Sequence, residues 1–237
     1  MAILTAIFEA PALILIISPT LRQSGEMFRK IKDFYRSLLD PAGKARKFKA
    51  AKSRTGLRLW TPFMDDTSSS VIGPAEEAVQ ETVLTMELAN GSRIIALPGN
   101  ENVRSYSAVK LLIIDEASRV KDAVYYGAVR PMLAVSRGRL VCLSTPCGKR
   151  GFFYEKWVGR TIDGRVLPEQ WDRIKVTAAE CPRFDPAFLE EERTALGDQW
   201  FEQEYAGGFV DLVDAVFRMK DIEAMSNDRI TPLFGVA

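Results

Sequence analysis

Two adjacent carboxylates, Asp115 and Glu116, close the aliphatic run Leu111-Leu112-Ile113-Ile114, and no other arrangement in the chain is better suited to chemistry. An unbroken aliphatic run reads as a strand buried in a parallel sheet, and open α/β sheets bind ligands at the carboxyl ends of their strands. At such an end Asp115 could hold Mg²⁺ through water, and Glu116 could orient or deprotonate a water attacking a terminal phosphate. The two acids would then have different tasks. The same residues also suit a strand that merely ends in an acidic turn, so the neighbouring segments decide between the two.

A second run, Val141-Cys142-Leu143, ends in Ser144-Thr145-Pro146. Hydroxyls at a strand end beside an Asp-Glu strand can hydrogen-bond the carboxylate, the attacking water or the phosphate, so that the state of a nucleotide reaches the following helix. An ordinary Ser/Thr-Pro turn has the same sequence. Between positions 44 and 58 the chain carries seven basic residues and no acidic one. Lys44, Arg46, Lys47, Lys49, Lys52 and Arg54 are candidates for contacts to DNA phosphates, with a solvated loop as the alternative.

Composition narrows the chemistry further. None of the 237 residues is histidine, which removes Ser-His and Cys-His nucleophiles and most transition-metal sites and leaves carboxylates with Mg²⁺. Cys142, Cys147 and Cys181 lack paired metal-ligand spacing, and their odd number fits reduced thiols in a cytosolic setting. With 32 basic and 31 acidic residues the net charge is +1, so bulk charge favours neither nucleic acid nor membrane. The 47% hydrophobic content is enough for one large domain.

The elements that must position these residues follow from periodicity. Ile3, Leu4, Ile7 and Phe8 have helical spacing, Pro11 ends that helix, and residues 13–17 form an aliphatic strand. Glu9 and Pro11 interrupt the apolar start, so neither a signal peptide nor a membrane span is expected. Residues 23–39 carry a helical stripe, 65–74 form a polar connection, and 83–88 with 93–97 flank Asn90-Gly91 as a hairpin. Strands at 109–114 and 139–143 then alternate with helices at about 122–134 and 152–160. A strand at 173–177, a helix opened by Pro186 and another at 199–205 follow. The alternation predicts an α/β fold with a mainly parallel sheet flanked by helices. A chain that opens on a core helix lacks the strand expected before it.

Taken in order, residues 13–20 followed by Arg22-Gln23-Ser24, then Asn90-Gly91-Ser92-Arg93-Ile94, Pro98-Gly99, Arg104-Ser105-Tyr106-Ser107, the Asp115-Glu116 strand and Ser144-Thr145-Pro146 resemble the ATPase domain of phage terminase large subunits, the motors that package DNA into procapsids. The resemblance implies a P-loop NTPase-like fold of the RecA/ASCE type. It places the Walker B strand on 111–116, with Asp115 on Mg²⁺ and Glu116 as the catalytic carboxylate, and the coupling motif on Ser144, Thr145 and Pro146. Arg104 becomes a candidate phosphate or coupling residue, although the family tends to have Arg-Gly where this chain has Arg104-Ser105. ATP and Mg²⁺ are the implied ligands. The implied partners are double-stranded DNA, a portal protein, a terminase small subunit and further copies in a ring, in the cytoplasm of the bacterial host.

Two departures from the family pattern shape the expectation. No Gly-x-x-x-x-Gly-Lys-Ser/Thr is present: Gly43-Lys44 is followed by Ala45, and Gly148-Lys149 by Arg150. In the family that P-loop lies just upstream of the helix that opens this chain, so Met1 is expected to begin inside the first βα unit. At the other end, Gln203-Glu204-Tyr205 with Phe209-Val210-Asp211 resembles the stretch leading out of the ATPase domain. Residues 1–211 are therefore expected to be an incomplete ATPase domain, and 212–237 a linker and the start of an RNase H-like nuclease domain without its carboxylate cluster. Two other readings stand beside this one. One is a non-catalytic prophage remnant that binds DNA or a packaging partner; the other is a superfamily-2 helicase fragment, which the Asp-Glu-Ala-Ser at 115–118 disfavours.

Overall fold

The computed structural model describes residues 1–38, 48–52, 58–62, 78–100, 103, 106–161, 163–168 and 171–210. Helix α1 (Ala2–Phe8) leads into strand β1 (Leu13–Ser18) and helix α2 (Leu21–Leu38). Strands β2 (Phe48–Lys52) and β3 (Arg58–Pro62) pair antiparallel by themselves. Strands β4 (Ala78–Glu81), β5 (Thr85–Leu88), β6 (Arg93–Pro98), β7 (Val109–Asp115) and β8 (Arg139–Leu143) join β1 in one sheet, ordered β4-β5-β6-β1-β7-β8. Within it β6, β1, β7 and β8 run parallel, and β5 and β4 add antiparallel at one edge. This is the mainly parallel α/β sheet expected from the alternation of elements.

Strand β1 is central because its sequence permits nothing else. Ile14, Leu15, Ile16 and Ile17 are all fully buried, so both faces must be covered. On one face Ile14, Ile16 and Leu111 pack with Ala2, Ile3 and Ala6 of α1 and Phe28 and Tyr35 of α2. Thr20 caps α2 in a reciprocal box: its N–H donates to Gln23 Oε1 at 3.2 Å, and its Oγ1 accepts from the Gln23 N–H at 3.3 Å. Ser24 Oγ then donates to the Leu97 carbonyl at 2.8 Å, tying α2 to β6.

The Asn90-Gly91 hairpin forms as its sequence demands, with Gly91 at φ +79° and its N–H donating to the Leu88 carbonyl at 2.9 Å. It is also anchored. Asn90 Nδ2 donates to the Ala6 carbonyl at 2.9 Å, and buried Ser92 Oγ accepts from the Ala12 N–H at 3.0 Å. The connection between α1 and β1 is thus held by a turn some eighty residues away.

The helical stretch 122–134 is α-helical at Asp122–Val124 (α3), π-helical at Tyr125–Val129 and α-helical again at Arg130–Ala134 (α4). The chain divides into two compact units, Met1–Ser144 and Thr145–Ala237. The second contains helix α5 (Gly151–Val158) and helix α6 (Pro186–Glu204), the latter opened by Asp185 Oδ1 accepting from the Ala187 N–H at 2.9 Å. Gly197 at φ +76° interrupts α6, and this break separates the two helices that sequence periodicity predicts there. Phe209 packs against Phe153, Tyr154 and Trp157, and Tyr205 against Phe184, Phe188 and Phe201.

Two local expectations change. The basic run at 44–58 is not simply a loop, because its backbone enters β2 and leaves at the start of β3. Residues 173–177 do not form a strand: alternation makes the segment extended, but a strand exists only with a neighbour to share its ladder. Ile174 and Val176 are 72% and 69% exposed as a result. Among the described residues no helix is long and apolar enough to cross a membrane.

Candidate functional site

Asp115 is the last residue of β7, flanked by β1 on one side and β8 on the other. Its carboxylate is half-buried, and burial pushes its pKa above the ordinary carboxylate value. A hydrogen bond from the Glu116 backbone and the positive charge of Lys30 act in the opposite direction.

Glu116 leaves the strand in the left-handed region, φ 51° and ψ 45°, where residues other than glycine are uncommon. The turn is closed by the Arg119 N–H donating to the Glu116 carbonyl at 2.9 Å, and residues Ala117–Arg119 form one 3₁₀ turn over the buried Ala117. Arg119 Nε lies 3.7 Å from Glu116 Oε2. The backbone therefore turns the two acids apart immediately after the sheet ends, with Asp115 still in the ladder and Glu116 already in the turn. Strained conformations of this kind persist where surrounding structure over-determines them and are common at functional sites.

Ser144 follows β8, whose Leu143 is the ladder partner of Asp115. Its hydroxyl accepts from the Ser118 N–H at 3.1 Å and lies 2.7 Å from Ser118 Oγ. The end of one strand is thus tied to the turn that carries Glu116 at the end of the next. Burial pushes the thiol of neighbouring Cys142 up to about 12, which disfavours the nucleophilic thiolate.

Of the residues singled out from sequence, the structure brings together Asp115, Glu116 and Ser144. Thr145, half-buried, and Pro146, buried, open the second unit. Arg104, Lys44, Arg46, Lys47 and Arg54 lie outside the described residues, and Lys49 and Lys52 are described only as backbone of β2. Sequence reading missed Ser118, Arg119 and Ser18. The first two stand just beyond the Asp-Glu pair, at a distance a 3₁₀ turn closes; Ser18 directly follows the aliphatic run 13–17.

Solved structures that share this fold include large terminases of phages. The large terminase ATPase domain of Thermus phage P74-26 superposes with a TM-score of 0.55 over 88% of this chain and 81% of that one, at 19% identity. A point mutant of the same domain gives 0.56 at 18% identity with the same coverage. The large terminase of another thermophilic bacteriophage gives 0.53 over 88% of this chain and 44% of that one, at 9% identity. The chain has the fold of a large terminase ATPase domain. In sequence it resembles the terminase large subunit of Escherichia phage T5, 29% identical over 150 residues, which is 59% of this chain and 33% of the relative. The chain thus spans about a third of the length of that curated terminase. No family model matches it.

The residues at this strand end fit a magnesium ion better than a softer or fully caged metal. Among the described residues no group of three or more His, Cys, Asp or Glu side chains could enclose a metal. Mg²⁺ needs no such cage, since it keeps most of its water and is held by one or two carboxylates together with substrate phosphates. Asp115 would supply the carboxylate. At the end of the neighbouring strand β1, the buried Ser18 Oγ has no hydrogen-bond partner among the described residues, an oxygen suited to a hydrated cation.

Proposed function

We propose that this chain is part of the ATPase domain of a viral DNA-packaging motor, whose parent activity is ATP hydrolysis coupled to translocation of double-stranded DNA into a procapsid. The observation that carries the reading is the joining of the Asp115-Glu116 strand end to Ser144 through Ser118, in a terminase ATPase fold. In this reading the strand 111–116 is the Walker B strand. Asp115 holds the hydrated Mg²⁺ that, when bound, offsets charge on the phosphates. Glu116 accepts a proton from the water that attacks the γ-phosphate, and the resulting hydroxyl displaces ADP. Ser144 senses the state of that water and carboxylate through Ser118, and Thr145 and Pro146 pass it into the second unit. Lys44, Arg46, Lys47, Lys49, Lys52 and Arg54 contact DNA phosphates, and Arg104 is a phosphate or coupling residue. A portal protein, a small subunit and a ring of like chains are the partners.

The 237 residues contain no P-loop, so the amides and lysine that would compensate the β- and γ-phosphates are not among them. ATP turnover by this chain alone is therefore expected at background, indistinguishable from a Glu116→Gln control. Fused before Met1, a strand-loop-helix segment bearing Gly-x-x-x-x-Gly-Lys-Thr should restore turnover. Glu116→Gln should then lower it roughly a hundredfold or more. Turnover in the fusion that ignores Glu116→Gln would overturn the catalytic role, and turnover by the unfused chain well above its control would overturn the dependence on a P-loop. For the basic residues, the salt slope of duplex DNA binding should shrink when 44–58 is charge-reversed; an unchanged slope excludes that segment.

A further inference from the structure

Ser18 is the last residue of β1 and is 0% exposed, yet its hydroxyl has no hydrogen-bond partner among the described residues. Buried hydroxyls are nearly always satisfied, and this one could have been an alanine at no loss of any contact described. Its position gives it a use. The ladder pairs Ile16 with Ile113 and Ile17 with Ile114, so the next step sets Ser18 beside Asp115. Side chains alternate along a strand, and Ile14, Ile16, Leu111 and Ile113 belong to the cluster under α1 and α2. Ser18 and Asp115, each two residues further along, therefore share that face at the carboxyl edge of the sheet. Lys30 of α2 adds its charge on the same side.

We propose that Ser18 is a positioning residue of the Asp115 cation site, its Oγ accepting a hydrogen bond from a water of Mg²⁺ that also donates to the Asp115 carboxylate. A metal-bound water has two hydrogens to give, and a cross-strand hydroxyl and carboxylate offer two acceptors on one face. The pair would fix the orientation of that water, as outer-shell partners fix the ligands of other metal sites. Gly99 closes over the same strand end, its N–H donating to the Ser18 carbonyl at 2.7 Å. That contact holds the Ser18 backbone and leaves its hydroxyl for the cation's water. This inference rests on the reading of Asp115 as the Mg²⁺ carboxylate.

The test is thermal unfolding of the full chain as a function of MgCl₂ at constant ionic strength, comparing wild type with Ser18→Ala and Asp115→Asn. Without divalent cation, Ser18→Ala should unfold at or above the wild-type temperature, because the variant loses no described partner and sheds a buried unsatisfied oxygen. With MgCl₂ the wild-type midpoint should rise, Asp115→Asn should lose the rise, and Ser18→Ala should need roughly tenfold more Mg²⁺ for the same rise. Equal Mg²⁺ responses of wild type and Ser18→Ala, with Asp115→Asn unresponsive, would overturn the role of Ser18 alone. A wild-type response retained by Asp115→Asn, or no wild-type response, would overturn the Asp115 reading and this inference with it. A Ser18→Ala chain that is less stable without metal would show that the hydroxyl has a structural partner, and would also overturn the proposal.

Discussion

Ser118 and Ser144 are joined twice, the Ser118 N–H donating to Ser144 Oγ at 3.1 Å and the two hydroxyls lying 2.7 Å apart. The first residue lies within the turn that follows Glu116, and the second directly follows the strand beside it. A shift of either strand end by an ångström would break both bonds, since hydrogen bonds weaken steeply beyond about 3.5 Å. The pair therefore makes the geometry of the Glu116 turn and that of the β8 end one variable.

A double-mutant cycle should detect this link. Ser144→Ala leaves the Ser118 N–H without that acceptor and should cost about 1–2 kcal/mol in denaturant unfolding. Ser118→Ala should cost less, because the N–H to Ser144 remains. The coupling energy between the two substitutions should be about 0.5–1.5 kcal/mol; additive effects would mean that the two hydroxyls act independently.

Asp115 should weaken the fold at neutral pH. Its folded-state pKa is raised by burial, so the folded chain holds the proton to higher pH than the unfolded chain does. Stability therefore falls as pH rises from the ordinary carboxylate value through the raised one, and the full cost is present above it. Asp115→Asn should raise the unfolding midpoint slightly at neutral pH, the gain kept small because solvent screens a half-exposed group. Below the ordinary carboxylate range the difference should vanish. Paired melts at neutral and acid pH measure it.

At Glu116 the backbone, not the carboxylate, should dominate stability. Its φ of 51° disfavours branched side chains most, so Glu116→Ile should destabilise by roughly 1–2 kcal/mol. Glu116→Gly should be neutral or mildly stabilising despite loss of the 3.7 Å contact to Arg119, which is worth little at a half-exposed position. Equal destabilisation by both variants would mean that side-chain contacts, not the turn, hold this residue.

Ser92→Ala should be among the more damaging single-atom deletions away from the site. It leaves the Ala12 N–H without its acceptor at a buried position, at about 1–3 kcal/mol. The same variant should speed amide exchange at Ala12 and in the adjoining start of β1, which hydrogen exchange would read directly.

Much of this site was legible in the chain. Residues 13–17 and 111–114 are aliphatic runs suited to a strand buried in a parallel sheet, 140–143 is a shorter apolar run that forms the edge strand β8, and the acids and hydroxyls that end β7 and follow β8 fall at the same edge of that sheet. The hairpin was legible from Asn90-Gly91, because few turns accept a residue at positive φ. The strand expected at 173–177 did not form because alternation encodes extension but not the neighbour a ladder requires. Ser18, Ser118 and Arg119 could not be singled out, since a serine in a turn looks the same whether its oxygen faces water, a carboxylate or another strand.

What the sequence by itself determined is which residue types stand at the strand ends, because side-chain period and aliphatic content depend only on local order. From these came the α/β class, the Asp115-Glu116 pair, Ser144 and the absence of a P-loop among these residues. What only the tertiary structure decided is adjacency. The order β6-β1-β7-β8 puts β1 and β8 on either side of β7, with Leu143 opposite Asp115, and the left-handed turn at Glu116 delivers Ser118 to Ser144. Such neighbours lie up to a hundred residues apart in the chain. Their meeting depends on the energy of the whole sheet, which no local pattern encodes.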